Sequence, residues 1–196
     1  MLARAAARLN ARSGSGLPPL VLMTDDDRLS DPASAALALP RGSMVIVRAK
    51  KDGRRAKLAV QLLAIARAQN LKLLVAGDAG LAQGIGAHGV HFPEARMTEA
   101  AEWRARRPHW TITVAAHSLR ALAAAHRAKA DAALLSPVFV TASHANAAAI
   151  GTARAQMIVR QSPLPVYALG GIDAQTARNL TSSTFAGIAA IGALIP

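Results

Sequence analysis

Cysteine is absent from the 196-residue chain. This excludes disulfides and thiolate metal ligands, and makes a cytoplasmic location the default. Aromatic residues are scarce, at 3%, too few for the stacking platforms that single-strand nucleic-acid binders use. No apolar run reaches the ~18–20 residues of a membrane span, so no membrane partner is expected. Acidic residues are outnumbered, 11 against 23 Lys and Arg, which leaves a formal net charge of +12. Such an excess raises nucleic-acid binding as a class. The basic residues are scattered, however, and no helix-turn-helix, zinc or RNA-binding signature accompanies them. No nucleic-acid partner is expected, and an anionic small molecule suits the same charge.

Hydrophobic residues make up 52%, much of it alanine, which points to closely packed small-residue helices around one core. Residues 1–16 stand apart. Met1 to Arg12 is rich in Arg and Ala and lacks acids, and Ser13-Gly14-Ser15-Gly16 follows as a hinge. The segment reads as a short basic amphipathic helix packed on the domain rather than a secretory signal. Residues 17–196 form a single domain.

Within that domain, short apolar runs alternate with helical patterns. The strands read as Leu20–Thr24, Met44–Val47, Leu71–Ala76, Gly89–Phe92, Trp110–Val114, Ala132–Leu135, Pro165–Ile172 and Phe185–Ile191. Helices are expected after each of the first seven: from Pro32 with Asp31 as cap, Arg54 to Ala68, Ala79 to Ile85, Thr98 to Arg106 with Thr98 as cap, Ser118 to Lys129, Thr152 to Arg160, and after Asp173. Alternation of this kind means a parallel sheet, and eight strands favour a closed (β/α)8 TIM barrel that lacks its last helix. The N-terminal helix then covers the vacant outer position. An open doubly wound sheet would need a glycine-rich phosphate loop after the first strand, where this chain has Thr24-Asp25-Asp26-Asp27. That acidic triplet is expected as a solvated loop.

Two strand ends carry the best ligand signal. Gly170-Gly171-Ile172 and Ile191-Gly192 close the seventh and eighth strands, where barrels of this kind place a phosphate. Glycines there let the backbone come close and turn its N–H groups toward an anion. Arg48 and Lys50 follow the second strand, and alternation sends both to one side at the barrel mouth. The loop from Val138 to Ile150 is long enough to be a binding loop or lid. His117 stands at the mouth of the fifth strand, in reach of proton transfer. No histidines have metal-ligand spacing with a third ligand in view.

Taken in order, the landmarks Thr24-Asp25, Arg48-Ala49-Lys50, Asp78, Gly89-Val90-His91, His117-Ser118, Pro137-Val138-Phe139 with Thr141, and Gly170-Gly171-Ile172 resemble the thiamine phosphate synthase family and its relative, the thiazole tautomerase. The resemblance runs from about Leu20 to Leu194. It implies a TIM barrel that couples thiazole phosphate to pyrimidine methyl diphosphate and releases pyrophosphate, a transferase of the diphosphorylase type. It implies Arg48 and Lys50 as diphosphate cations, Asp78 as a Mg2+ ligand, Thr141, Ser143 and His144 in the strand-six loop, and Gly170, Gly171, Ile191 and Gly192 as the phosphate cradle. The partners implied are phosphorylated thiazole and pyrimidine diphosphate; a homodimer stays open.

Four positions depart from the synthase pattern. Gly77 replaces Asn, Arg96 replaces a second acidic Mg2+ ligand, Ala115 replaces Ser, and His144 replaces Lys. A cation at Arg96 weakens Mg2+ binding. The isomerase alternative, a thiazole tautomerase, needs no Mg2+ and would use His117 as its acid/base. A non-catalytic protein that binds thiazole phosphate or thiamine phosphate is the other alternative. His91 occurs across the family and reads as structural.

Overall fold

The structure is a computed structural model that describes residues 1–141, 148–180 and 183–194. Eight strands form a closed parallel barrel in sequence order: β1 (Leu20–Met23), β2 (Met44–Val47), β3 (Lys72–Ala76), β4 (Gly89–Phe92), β5 (Thr111–Ala116), β6 (Ala132–Leu135), β7 (Val166–Leu169) and β8 (Gly187–Ala190). β8 closes onto β1 with Val21 beside Ala189. The strands are buried on both faces, which is why they read as unbroken apolar runs rather than as alternating ones.

Side-chain direction still alternates. Val21, Met23, Met44, Ile46, Leu74, Leu134, Tyr167 and Ala189 fill the barrel interior. Their neighbours Leu20, Leu22, Val45, Leu73, Ile112, Leu135 and Ile188 pack outward beneath the helices. On β4 and β5 the outward set is Val90, Phe92, Ile112, Val114 and Ala116, so Gly89, His91, Thr111, Thr113 and Ala115 face inward. That quarter of the interior is polar, and the buried His91 Nδ1 lies 2.9 Å from Thr113 Oγ1.

The outer helices are α2 (Pro32–Leu37), α3 (Asp52–Gln69), α4 (Ala79–Ile85), α5 (Glu99–Arg106), α6 (Leu119–Arg127) and α7 (Thr152–Arg160), preceded by α1 (Leu2–Ser13). Asp31, Asp78 and Ser118 cap their helices by accepting the N–H groups of Ser34, Leu81 and Ala121. Thr98 does not: it already has helical dihedrals, and its side chain makes no cap bond.

A helix was expected after Asp173, and the structure has a 3-10 segment over Thr176–Leu180 instead. Asp173 caps it by accepting from Gln175 and Thr176, and Ala177 and Leu180, three residues apart, are its buried side chains. That spacing eclipses in a three-residue turn, so one short turn suffices to bury both. β8 is likewise followed only by the 3-10 turn Gly192–Leu194. The N-terminal helix α1 fills the outer space beside β8, with Leu2, Ala6 and Leu9 buried. Asn10 locks it there, donating to the carbonyls of Ala186 at 2.6 Å and Leu17 at 2.9 Å.

Candidate active site

A cavity of about 710 Å3 opens at the C-terminal end of the barrel. Its floor is the last inward layer: Met23, Ala76, His91, Ala115, Leu169 and Ala189. Alanines at three of these positions create the space, since larger inward side chains would fill it. The volume falls in the range of small-molecule sites.

Gly170 and Gly171 form one wall, with Thr141, Ile191 and Gly192 beside them. Both glycines have positive φ, 96° and 63°. A Cβ on Gly171 would lie 2.3 Å from the Val140 carbonyl oxygen, and one on Gly170 would lie 2.9 Å from Pro137 Cα. The pair therefore supports the loop after β6: Val138 N–H donates to Leu169 O at 2.9 Å and Phe139 N–H to Gly170 O at 3.0 Å. The N–H groups of Gly170, Gly171 and Ile172 have no acceptor among the described residues. Ser143 and His144 lie outside the described residues.

The other wall is cationic. Arg28, Arg48 and Arg55 line the cavity, and no Asp or Glu does so among the described residues. Arg28 donates to Asp25 from Nε at 3.1 Å and from Nη2 at 2.8 Å, and Arg48 Nη1 donates to the same carboxylate at 2.6 Å. Asp25 is only 6% exposed. The Arg28 guanidinium, hydrogen-bonded to it, holds its carboxyl down at about 2, so it stays a carboxylate at all physiological pH. Thr24 fixes the Arg48 backbone by exchanging two 2.8 Å bonds with it.

The acidic triplet is thus no solvated loop. Asp25 orients two arginines, Asp26 accepts the Lys50 N–H at 2.8 Å and pairs with Arg54, and Asp27 pairs with Lys50 Nζ at 2.6 Å. Lys50, expected beside Arg48, is 67% exposed and is not among the cavity's lining residues. β2 ends at Val47, so strand alternation does not reach Lys50, and the contacts with Asp26 and Asp27 set its direction instead.

Asp78 is also outside the lining. Its Oδ1 caps α4 and its Oδ2 lies 3.6 Å from Arg55. Arg96 spans the end of β3, donating to the Gly77 carbonyl at 2.9 Å and pairing with Glu99. Glu94 accepts the His117 N–H at 2.9 Å. The hard-oxygen set that Mg2+ needs is not assembled: one carboxylate is engaged as a cap between two guanidinium groups, and no cluster of three His, Cys, Asp or Glu fit to hold a metal occurs among the described residues.

His117 is exposed, with Nδ1 held at 2.6 Å from the Ser136 carbonyl oxygen, and it does not line the cavity. The imidazole that does is His91, which burial keeps neutral by lowering its pKa to about 4. Sequence reasoning missed Arg28, Arg55 and His91. The signal for the first two was available, since Arg28 lies in the loop after β1 and Arg55 in the first turn of α3, both at the mouth end of the barrel; nothing in an all-buried strand marks His91 as inward.

Residues 20–194 match the thiamine monophosphate synthase family. A protein of Aquifex aeolicus provisionally named thiamine-phosphate synthase 2 is 34% identical over 161 residues, 80% of this chain and 86% of its own. The thiamine-phosphate synthase of Anoxybacillus flavithermus is 30% identical over 183 residues, 88% of this chain and 83% of its own. Among solved structures, a thiamine phosphate pyrophosphorylase from Pyrococcus furiosus superposes with a TM-score of 0.75 at 25% identity, covering 93% of this chain and 88% of the other. With the fold superposing over 93% of the chain and the family match spanning both walls of the cavity, the chain belongs to the thiamine monophosphate synthase family of thiamine biosynthesis.

Proposed function

We propose that the chain is a transferase of the thiamine phosphate synthase type, joining thiazole phosphate to pyrimidine methyl diphosphate. The observation that carries this reading is the two-walled cavity: three guanidinium groups with, among the described residues, no lining carboxylate on one side, and a glycine-rich backbone wall on the other. The guanidinium wall suits the diphosphate, and the wall of Gly170, Gly171 and Gly192 suits the thiazole phosphate. In the reaction the C–O bond between the pyrimidine methylene and the diphosphate breaks, and its electron pair leaves on pyrophosphate. The thiazole then adds to the resulting pyrimidine methylene cation. Fixed cations beside the departing oxygen stabilise the charge that develops there without reorganising. The apolar floor of Met23, Ala76, Ala115 and Ala189 limits water, which would otherwise trap the cation.

No step is assigned to Mg2+, because the residues around Asp78 do not form a site for it. That misfit favours one second reading, the tautomerase, which uses no metal. Against it, the His117 expected to move the proton is turned to Ser136. The test is thiamine phosphate formation by the purified chain from both substrates, with and without chelator. Product is expected. No product, with proton exchange on the thiazole carboxylate phosphate instead, would replace this reading by the tautomerase.

A further inference from the structure

We infer that the cavity holds a diphosphate on Arg28, Arg48 and Arg55 without a divalent cation, the guanidinium groups taking the place of the metal. This rests on the reading of the cavity as a site for phosphorylated ligands. The family pattern would put a metal ion at Asp78, supported by Arg48 and Lys50. Here Asp78 is a helix cap pinned 3.6 Å from Arg55, and Arg96 stands where a second carboxylate would be needed. Lys50 is drawn off to Asp27.

What replaces them is on the opposite side of the balance. Arg55 leaves the first turn of α3, is 16% exposed, and pairs with Asp52 and Asp78 through Nη2. Its Nε–H is buried and has no acceptor among the described residues. A buried donor without a partner is costly unless a ligand supplies the acceptor, and this one belongs to a side chain that lines the cavity. Arg28 and Arg48 converge on one Asp25 oxygen, at 2.8 and 2.6 Å, which gathers two guanidinium groups at one point of the lining. The lining itself thus presents three guanidinium groups and, among the described residues, no carboxylate, so an anion entering the cavity meets positive charge first. Guanidinium forks match phosphoryl oxygens in pairs and keep their charge at any working pH. A diphosphate, with two adjacent phosphoryl groups, is the ligand that can meet three such forks together.

The test is calorimetric titration of the full chain with inorganic pyrophosphate, once in EDTA and once in excess MgCl2. Binding in EDTA is expected, with no strengthening in Mg2+. Arg55→Gln should weaken it about 10–100-fold, the worth of a charge-assisted hydrogen bond, and Arg55→Lys should fall between. If Arg55→Gln does not fold, Arg28→Gln is read against the same expectation. Binding that appears only with Mg2+, binding in neither buffer, or a folded variant that binds like the parent would each overturn the inference. Metal-free, Arg55-dependent binding with no thiamine phosphate formed would leave the inference standing and remove the synthase reading. Thiamine phosphate formation that stops in EDTA would do the reverse.

Discussion

Replacing Gly171 by alanine should damage stability and ligand binding together, by an amount the geometry sets. The residue sits at φ 63°, where a side chain costs about 1–2 kcal/mol. The added Cβ would also lie 2.3 Å from Val140 O and 2.8 Å from Phe139 Cβ. Ordinary carbon–oxygen contacts begin near ~3.3 Å, so the loop after β6 must retreat by roughly 1 Å. That loop is tied to the glycine strand end by the 2.9 and 3.0 Å bonds from Val138 and Phe139, and losing one adds about 1 kcal/mol. The expected total is about 2–4 kcal/mol in urea unfolding. Gly14→Ala is the control: φ is 62°, and nothing lies within 4 Å of its Cβ, so only the conformational cost of about 1–2 kcal/mol remains. The excess of Gly171→Ala over Gly14→Ala measures the clash. Thiazole phosphate affinity, measured on the folded fraction, should fall with it, because the wall it is proposed to meet has moved. Equal losses at the two sites, with affinity unchanged, would refute the reasoning. The same overlap means that Gly171→Asp would test sterics as much as charge and would not leave the loop in place.

Two further outcomes follow from other parts of the barrel. His91 stays neutral in the folded chain down to about pH 4, whereas the unfolded chain protonates it at its ordinary value of 6.5. The unfolded state therefore binds the extra proton, and stability, full above 6.5, declines as pH falls toward 4, by up to about 3 kcal/mol. Urea titrations at pH 7 and pH 4.5 should show a steeper loss for the parent than for His91→Gln, and parallel losses would exclude the histidine as the cause. Asn10→Ala should cost about 1–3 kcal/mol by stranding the Ala186 and Leu17 carbonyls at the seam between α1 and the barrel, and a change under about 0.5 kcal/mol in thermal or urea unfolding would mean that α1 contributes nothing there.

The barrel was legible because its strands are short apolar segments with hard stops. Met44–Val47, Gly89–Phe92 and Ala132–Leu135 fall where the residues place them, as do the helices over 79–85 and 152–160. Local signals suffice when glycine, proline or a capping Asp ends an element. They fail where a tertiary partner decides. The segment after Asp173 has the periodicity of a helix, but its two buried side chains ask for one turn, and one 3-10 turn is what forms.

The cavity's walls were half legible for the same reason. Alternation is a property of a strand, and it stops with the strand. Arg48 is the first residue past Val47, and its backbone is held by Thr24, so its side chain turns into the mouth; two residues on, the acidic loop after β1 takes Lys50 away. The distinction lies in which carboxylate each cation meets, and no spacing rule encodes that. Asp78 shows the opposite case. An Asp ahead of a helix is an N-cap signal in its own right, and the cap bond from Leu81 N–H at 2.8 Å already engages one oxygen of the carboxylate that the family pattern would give to a metal. Arg96 takes the neighbouring Gly77 carbonyl, and Arg55 Nη2 meets both Asp78 and Asp52, so a guanidinium already stands between these two carboxylates. The positive charge proposed to stand in for a metal comes instead from Arg28, Arg48 and Arg55, which line the cavity. The substitution at Arg96, read from sequence as the loss of a ligand, is on the structure a guanidinium held by Glu99 and the Gly77 carbonyl, outside the lining of the cavity.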